Sequence, residues 1–280
     1  DLAYAGGEAS GMVFYQNRGG QQGFDAVPLL DDNPGGLCTG LAMADLTGDY
    51  RREMLFGNLK QKQLPIYSSN ASGSYYRVAN LSMSRHTYGM SFADTDHDGY
   101  PEIFLAHWFS GNVLTAPVFW KNNGGSELMH FDSEAGLSDD SLSQNWNFSP
   151  QFADINADGE TDLLLASDFG TSVVMQGEPG GSFRNITDRD IISDENGMGS
   201  ALGDYDNDGD LDWFVTSIYD PNGEAEANWG VTGNRLYRNN SSGGDIVLDL
   251  SVLSESSHSP IVQLTNRIAR FRLLRSASPQ

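Results

Sequence analysis

Asp204-Tyr-Asp206-Asn-Asp208-Gly209-Asp-Leu-Asp212, followed by the apolar run Trp213-Phe-Val-Thr, is the stretch of sequence that decides the fold. The same pattern, Asp-x-Asp/Asn-x-Asp-Gly-x-x-Asp/Glu, occurs at 94–102 and 154–162, and a degenerate copy occupies 45–53. A single Asp- and Gly-rich stretch would be typical of a surface turn. Three clear copies, each followed by an apolar run, indicate a structural repeat instead.

The spacing of oxygen-bearing side chains in this nine-residue loop predicts a calcium site. Calcium takes six to eight oxygen ligands, which loop positions 1, 3, 5 and 9 supply from side chains and position 7 from its backbone carbonyl. Glycine at position 6 permits the left-handed backbone that such a curl needs. The predicted ligands are Asp94, Asp96, Asp98, Tyr100 and Glu102, then Asp154, Asn156, Asp158, Glu160 and Asp162, then Asp204, Asp206, Asp208, Asp210 and Asp212.

The degenerate copy is a candidate fourth site. It retains Asp45, Thr47, Asp49 and Glu53, but it has Tyr50 at the glycine position, where a left-handed conformation is costly for a bulky residue. Oxygen-only ligand sets exclude zinc and copper. Magnesium keeps several of its waters, so a cage made largely of protein oxygens favours calcium as the cofactor.

The residues after each loop exclude an EF-hand, which begins in the same way. An EF-hand requires a bidentate Glu at position 12 and a helix on each side. Position 12 is Leu105, Leu165 or Val215 in the three clear copies. The short apolar runs that contain these residues are typical of buried strands.

The repeat spacing predicts an all-β fold, namely a β-propeller. Loop position 1 recurs at 45, 94, 154 and 204, and periods of about 40 to 50 residues with several short strands are typical of propeller blades. Each unit has a small-residue strand before the loop, a buried strand after it, a third strand that ends in an Asn/Gly turn, and an outer strand. We therefore expect four-stranded blades with calcium loops between the first and second strands, and about five repeats, the first lacking its inner strand and loop.

These motifs carry a family resemblance. The loops and the Ile/Leu-rich strands after them resemble the FG-GAP or VCBS repeats of integrin alpha-chain propellers. The segments Gly233-Asn-Arg-Leu-Tyr-Arg-Asn-Asn240 and Phe131-Asp-Ser-Glu-Ala-Gly-Leu137 are similar to the ASPIC/UnbV and cartilage acidic protein group. The resemblance covers residues 1–253 and implies a propeller of usually seven blades with calcium in the turn between the first two strands of a blade.

Residues 254–280 contain no repeat and are basic through Arg267, Arg270, Arg272 and Arg275. One interpretation is an unrelated extension. The other is that Pro260-Ile-Val-Gln-Leu-Thr supplies the missing inner strand of the first unit and closes a five-bladed ring. Without that closure, the chain is part of a seven-bladed ring and has an open edge.

Composition restricts the partners and the compartment. The formal charge of −22, from 38 acidic and 16 basic residues, argues against nucleic acid as a partner. Cys38 is the single cysteine, so no internal disulfide can form. Extracellular calcium modules have dissociation constants of about 10⁻⁴–10⁻³ M, so a secreted, periplasmic or cell-surface location is expected. The sequence has no apolar span of membrane length, and we expect no membrane insertion.

No catalytic motif is recognisable in the sequence, which gives no basis for assigning an enzyme activity. The candidate ligand-binding residues are His107 and Trp108, after a second strand, and Trp229, in the equivalent connection of the last unit. These aromatic residues either bind a protein or glycan partner or pack over the mouth of the ring. Two functions follow: a calcium-stabilised interaction or adhesion module, and a carbohydrate-binding propeller that acts as a lectin or as part of a polysaccharide-active enzyme.

Overall fold

The computed structural model describes ten internal stretches and a short N-terminal one. These are residues 2–5, 12–20, 23–28, 38–58, 63–82, 86–108, 118–124, 129–130, 134–137, 146–220 and 230–251. Trp229 and the segment 254–280, with its candidate closing strand, lie outside them.

Every regular element in these ranges is a β-strand, which confirms the all-β prediction. The strands are β1 (Leu2–Ala5), β2 (Met12–Asn17), β3 (Phe24–Pro28), β4 (Cys38–Ala44), β5 (Glu53–Asn58), β6 (Gln63–Ser69), β7 (Tyr75–Ser82), β8 (Thr87–Ala93), β9 (Glu102–His107), β10 (Phe119–Lys121), β11 (Met129–His130), β12 (Asn147–Ala153), β13 (Asp162–Ser167), β14 (Val173–Glu178), β15 (Ser182–Asn185), β16 (Gly197–Gly203), β17 (Asp212–Ser217), β18 (Arg235–Asn239) and β19 (Leu248–Leu250). No described helix has the length and hydropathy of a membrane span.

The strands form five separate antiparallel sheets in chain order. The first sheet has three strands, β1-β2-β3, and the other four have four strands each: β4 to β7, β8 to β11, β12 to β15 and β16 to β19. Strand order within every sheet follows the sequence, so each sheet is a simple meander. One three-stranded unit followed by four complete units is the organisation that the repeat spacing predicts.

The first strands of neighbouring sheets lie side by side, with β4 beside β8, β8 beside β12 and β12 beside β16. Small residues make this close approach possible. A Cβ on Gly89 would overlap the Phe148 carbonyl oxygen of the next first strand, and a Cβ on Gly40 would lie 2.8 Å from the Tyr88 carbonyl oxygen. The glycines of the predicted inner strands are thus required by backbone packing.

The hydrophobic core lies between successive sheets. The second strands β9 and β13 are buried along their whole length, as their continuous apolar runs predict. Three clusters join the second sheet to the third, the third to the fourth, and the fourth to the fifth. In the last of these, Trp213 of β17 and Leu164 of β13 pack together with no exposed surface. Each of these four sheets therefore depends on a neighbouring sheet for stability.

Candidate metal centres

All four Asp-rich loops adopt one backbone structure, organised by the position 1 carboxylate. In the loop that begins at Asp94, one carboxylate oxygen accepts the Asp98 N–H at 3.0 Å and the other accepts the Gly99 N–H at 3.0 Å. Asp45, Asp154 and Asp204 accept the equivalent pairs of amides at 2.7–3.2 Å. The degenerate copy is therefore folded in the same way as the clear ones.

Two positions of every loop require left-handed backbone. At position 6, Gly99, Gly159 and Gly209 have φ of 93–101°, and Tyr50 has φ of 65°. Tyr50 accommodates this conformation with a side chain that is 98% exposed, so the degenerate loop closes without glycine. Position 4 is also left-handed, with φ of 57–71° at Gly48, His97, Ala157 and Asn207. Sequence reasoning missed position 4 because its residue type varies.

The position 9 carboxylates are buried beneath the loops, between the first and third strands. Glu53, Glu102, Asp162 and Asp212 are at most 1% exposed. One oxygen of each accepts the position 2 N–H at 2.7–3.0 Å. The other accepts a donor from the third strand or its end. These donors are the Ser68 hydroxyl at 2.8 Å and the N–H groups of Asn122 at 3.4 Å, Gly177 at 2.8 Å and Asn239 at 2.8 Å.

Burial also changes the ionisation of these groups. Desolvation raises the pKa of Asp162 to about 6, and it raises the pKa of Glu102 and of Asp212 above the usual carboxyl range. The backbone hydrogen bonds from Gly177 and Ile155 act on Asp162 in the opposite sense. Burial therefore disfavours the charged form of these three carboxylates, an effect that a bound divalent cation would oppose.

Two loops bring three acidic side chains to one point. Ligand oxygens of Asp94, Asp96 and Glu102 lie within 4.8 Å of one another, as do those of Asp204, Asp206 and Asp212. The Oδ1 atom of Asp206 is buried and has no hydrogen-bond partner. An unpartnered carboxylate oxygen among other carboxylates fits a hard cation.

The other two loops form no such three-carboxylate group within the described ranges, where position 3 is Thr47 or Asn156.

The position 5 carboxylate is oriented by the loop backbone. In Asp98 and its equivalents Asp49, Asp158 and Asp208, one oxygen accepts the position 7 N–H at 2.9–3.1 Å. The loop fold thus fixes the orientation of position 5 while leaving its second oxygen free of that bond.

The side chain at position 7 reaches the preceding loop. The Tyr100 ring lies over Gly48, position 4 of the loop before it, where a Cβ would come within 3.0 Å of Tyr100 Cε1. The Glu160 carboxylate lies 3.5 Å from the His97 imidazole, again at position 4 of the preceding loop. Position 7 contacts therefore join the loop at 94–102 to the loop at 45–53 and the loop at 154–162 to the loop at 94–102.

A second contact comes from the turn between the third and fourth strands of the following sheet, which we call the covering hairpin. Asn122 donates to the Leu46 carbonyl at 2.7 Å, and Asn239 donates to the Ile155 carbonyl at 2.7 Å, in each case at position 2 of the preceding loop. The Gly243 N–H bonds the Asn156 carbonyl at 2.9 Å. In the third such pair, a Cβ on Gly181 would lie 3.0 Å from Thr95 Oγ1.

Two basic side chains, which the sequence analysis did not include, form ion pairs with two of the acidic loops. Lys121 forms an ion pair with Asp96. Arg238 contacts the Asp206 carboxylate at 2.9 Å and the Asp208 carboxylate at 3.0 Å. The hydrogen bond to Asp96 raises the pKa of Lys121. Both residues directly precede the Asn of the covering hairpin, a sequence signal that could have located them.

The candidate ligand-binding residues lie where the second strand β9 ends. His107 is 2% exposed, and its Nδ1 lies 3.2 Å from the His86 carbonyl oxygen, so its ring faces the protein interior. Trp108 is half-buried and donates from Nε1 to the Asp168 carboxylate at 3.0 Å. Its ring packs with an aromatic group that consists of Tyr88, Trp146 and Phe148, and Phe169 extends this group toward solvent.

Comparisons with known proteins connect the repeat to a described family. Residues 154–215 match the FG-GAP-like repeat. This match supports the FG-GAP part of the sequence resemblance, whereas the ASPIC/UnbV grouping is not confirmed. A search of curated protein sequences gives no match.

Among solved structures, the chain is similar to the V. cholerae biofilm matrix protein Bap1, with 16% sequence identity and a TM-score of 0.45. The similarity covers 81% of this chain and 33% of that protein, so the chain spans about a third of its length.

Proposed function

We propose that this chain is a calcium-binding repeat protein of propeller architecture in which calcium is structural and the assembled sheets present a protein-interaction surface. The observation that carries the proposal is the common structure of the four loops, two of which gather three acidic side chains each. The FG-GAP-like match over residues 154–215 includes two of these loops and supports the same conclusion.

The propeller architecture is supported by the arrangement of the sheets. Four-stranded meanders follow one another with their first strands adjacent and their faces packed together, which is how blades surround a propeller axis. The five sheets would be either part of a seven-bladed ring or, with the strand proposed at 260–265, a closed ring of five.

Calcium would be held by positions 1, 3 and 5, the position 7 carbonyl and position 9 of each clear loop, with the loop at 45–53 as a fourth site. Bound there, the ion would offset the desolvation of the buried position 9 carboxylates. Each loop joins the first strand to the second and lies under the covering hairpin of the next sheet. An ion in the loop would therefore stabilise both a sheet and its junction.

An interaction or adhesion role outside the cytosol is the function that we assign to this scaffold. Loops of this class bind calcium at about 10⁻⁴–10⁻³ M in extracellular modules, so they would be filled outside the cell and empty in the cytosol. The formal charge of −22 would favour protein or glycan partners over nucleic acid.

Thermal unfolding with and without calcium tests the proposal. At ten times the dissociation constant, each site adds about 1.4 kcal/mol to the free energy of unfolding, so three sites should raise Tm by several degrees between chelator and millimolar calcium. The triple variant Asp94→Asn, Asp154→Asn, Asp204→Asn should lose most of this rise, and magnesium should give less of it. An equal Tm in chelator and in calcium would contradict the proposal.

Carbohydrate binding is the second candidate function, favoured by the aromatic group around Trp108. Half-exposed rings beside the polar Asp168 could stack on a sugar. A glycan array with the wild type, Trp108→Ala, Trp229→Ala and the control Tyr76→Ala on an outer strand separates the two functions. Glycan binding that only the tryptophan variants lose would favour the carbohydrate-binding function.

A further inference from the structure

One third-strand position has a different residue in each complete sheet, and strand register makes the four residues equivalent. In each sheet, the first residue after loop position 9 pairs with a residue of the third strand. The equivalent position is the residue that directly follows this third-strand partner. The pairs are Tyr67 with Met54, Trp120 with Ile103, Met175 with Leu163 and Tyr237 with Trp213. The residues at the third-strand position are therefore Ser68, Lys121, Gln176 and Arg238.

The residue type at this third-strand position matches loop position 3 of the same sheet. Thr47 accompanies Ser68, and Asn156 accompanies Gln176, so a hydroxyl accompanies a hydroxyl and an amide an amide. The two aspartates, Asp96 and Asp206, accompany the two basic residues. At this third-strand position, a basic residue thus occurs only where loop position 3 is an aspartate.

The contacts follow this matching in three sheets. The Lys121 ammonium pairs with Asp96, and the Arg238 guanidinium pairs with Asp206 at 2.9 Å. In the loop at 154–162, the Asn156 and Gln176 amides both donate to the Gly244 carbonyl, the latter at 2.8 Å. No ion pair of this kind links that third strand to that loop among the described residues.

Counted over the side-chain ligand positions 1, 3, 5 and 9 together with the third-strand residue, the matching gives every loop the same charge. The loops at 94–102 and 204–212 have four carboxylates at positions 1, 3, 5 and 9 and one basic partner, which leaves a charge of −3. The loops at 45–53 and 154–162 have three carboxylates at these positions and a neutral partner, which also leaves −3. The basic residues therefore cancel the extra carboxylate of the two most acidic loops.

We propose that Lys121 and Arg238 are intramolecular counter-ions. Each pairs with the position 3 carboxylate of its own loop in the calcium-free protein and limits the calcium affinity of that loop. This inference rests on the proposed calcium binding. A cation that already pairs with Asp96 or Asp206 must move aside or share that ligand when calcium enters. The remaining unit charge repels the ion, because like charges in one site raise each other's energy.

The backbone amides of Gly99, Gly159 and Gly209 give one NMR reporter for each clear loop. In a calcium titration of ¹⁵N-labelled protein, Lys121→Gln, which copies Gln176, should lower the calcium midpoint at Gly99 by about tenfold and shift the midpoint at Gly209 far less. Arg238→Gln should do the reverse. Gln176→Lys should raise the midpoint at Gly159.

Two control variants separate charge from structure. Lys121→Arg keeps the charge and should keep the Gly99 midpoint within about twofold of the wild type. The double variant Asp96→Asn, Lys121→Gln restores the charge of −3 and should return the midpoint toward the wild-type value. A purely structural role for Lys121 would instead weaken calcium binding in Lys121→Gln.

The outcomes distinguish this inference from the proposed function. If the wild-type glycine amides do not respond to calcium, both fail. If they respond but the Gly99 midpoint is unchanged or higher in Lys121→Gln, the counter-ion role is refuted while calcium binding stands. A lower Gly99 midpoint with a much smaller shift at Gly209 supports the counter-ion role.

Discussion

At the scale of single residues, the position 9 carboxylates are the groups on which the loops depend. Asp212 accepts the Tyr205 N–H at 3.0 Å and the Asn239 N–H at 2.8 Å while it is fully buried. Asp212→Ala should lower the free energy of unfolding in chelator by about 3 kcal/mol, because two backbone donors lose their acceptor. Urea unfolding measures this loss. The matched control, Asp210→Ala at position 7, should cost less than 1 kcal/mol, and equal losses would contradict the assignment.

Asp194 is a buried carboxylate outside the loops, and it predicts a pH effect. Tyr237 and Ser172 donate to it at 2.9 and 2.6 Å, and desolvation raises its pKa above the ordinary 3.8. A raised folded-state pKa stabilises the fold below the unfolded-state pKa, and this contribution is lost as pH rises through the raised value. The asparagine side chain of Asp194→Asn does not ionise, so this variant lacks the pH-dependent contribution.

The loss in free energy of unfolding caused by Asp194→Asn should therefore be larger near pH 4 than near pH 7. Urea unfolding across this range in chelator measures the difference from the wild type. A cost that grows with pH would show that the Asp194 pKa is lowered in the folded protein instead.

Tyr50 predicts a gain in stability. It has a φ of 65° and a fully solvent-facing side chain, so Tyr50→Gly removes backbone strain and gives up almost no packing. The expected gain is about 1 kcal/mol, or 2–4 °C in Tm. Tyr76→Gly, in the extended backbone of β7, is the control and should lose stability, because glycine weakens a strand interior. A fall in Tm for Tyr50→Gly would contradict this interpretation.

At the scale of the elements, the sequence predicted the loops and the buried strands after them because both depend on local residue types. Asp at positions 1 and 5 accepts amides of its own loop, and Ile103 or Leu163 lies in a continuous apolar run. The covering hairpins and the ion pairs of Lys121 and Arg238 were not predicted, since they depend on strand register and on contact with a neighbouring sheet. Register is set across strands and cannot be read from a single loop.

The covering hairpins give a prediction for junction strength. Asn239→Ala removes the buried bond to the Ile155 carbonyl of the preceding sheet, together with the bond that Asn239 Oδ1 accepts from the Ser241 N–H, and should cost about 1–3 kcal/mol in urea unfolding. Asn240→Ala is the matched control, because the Asn240 side chain donates to the exposed Asp249 side chain in its own sheet and Ala keeps the backbone bond to Val247. Similar small losses in both variants would show that the junction bond contributes little.

At the scale of the whole molecule, the described residues contain five sheets in series, while the blade number of the propeller and the closure of the ring stay predictions. The repeat period determines how many sheets a chain can form, and the glycine-rich first strands determine how closely they approach. Closure depends instead on the edges of the first and last sheets. Its candidate strand lies in 254–280, outside the described residues.

Each junction between successive complete sheets places part of one sheet on the loop before it, through a covering hairpin and, in two junctions, a position 7 side chain. Each loop is then coupled to its adjacent loops, as in a linear chain with nearest-neighbour coupling. We expect calcium in one loop to order the junction and so raise the affinity of the adjacent loop, and thermodynamic reciprocity makes this effect equal in both directions. The titration of this protein should therefore be steeper than that of independent sites, with the steepness set by contacts such as Asn239 to Ile155.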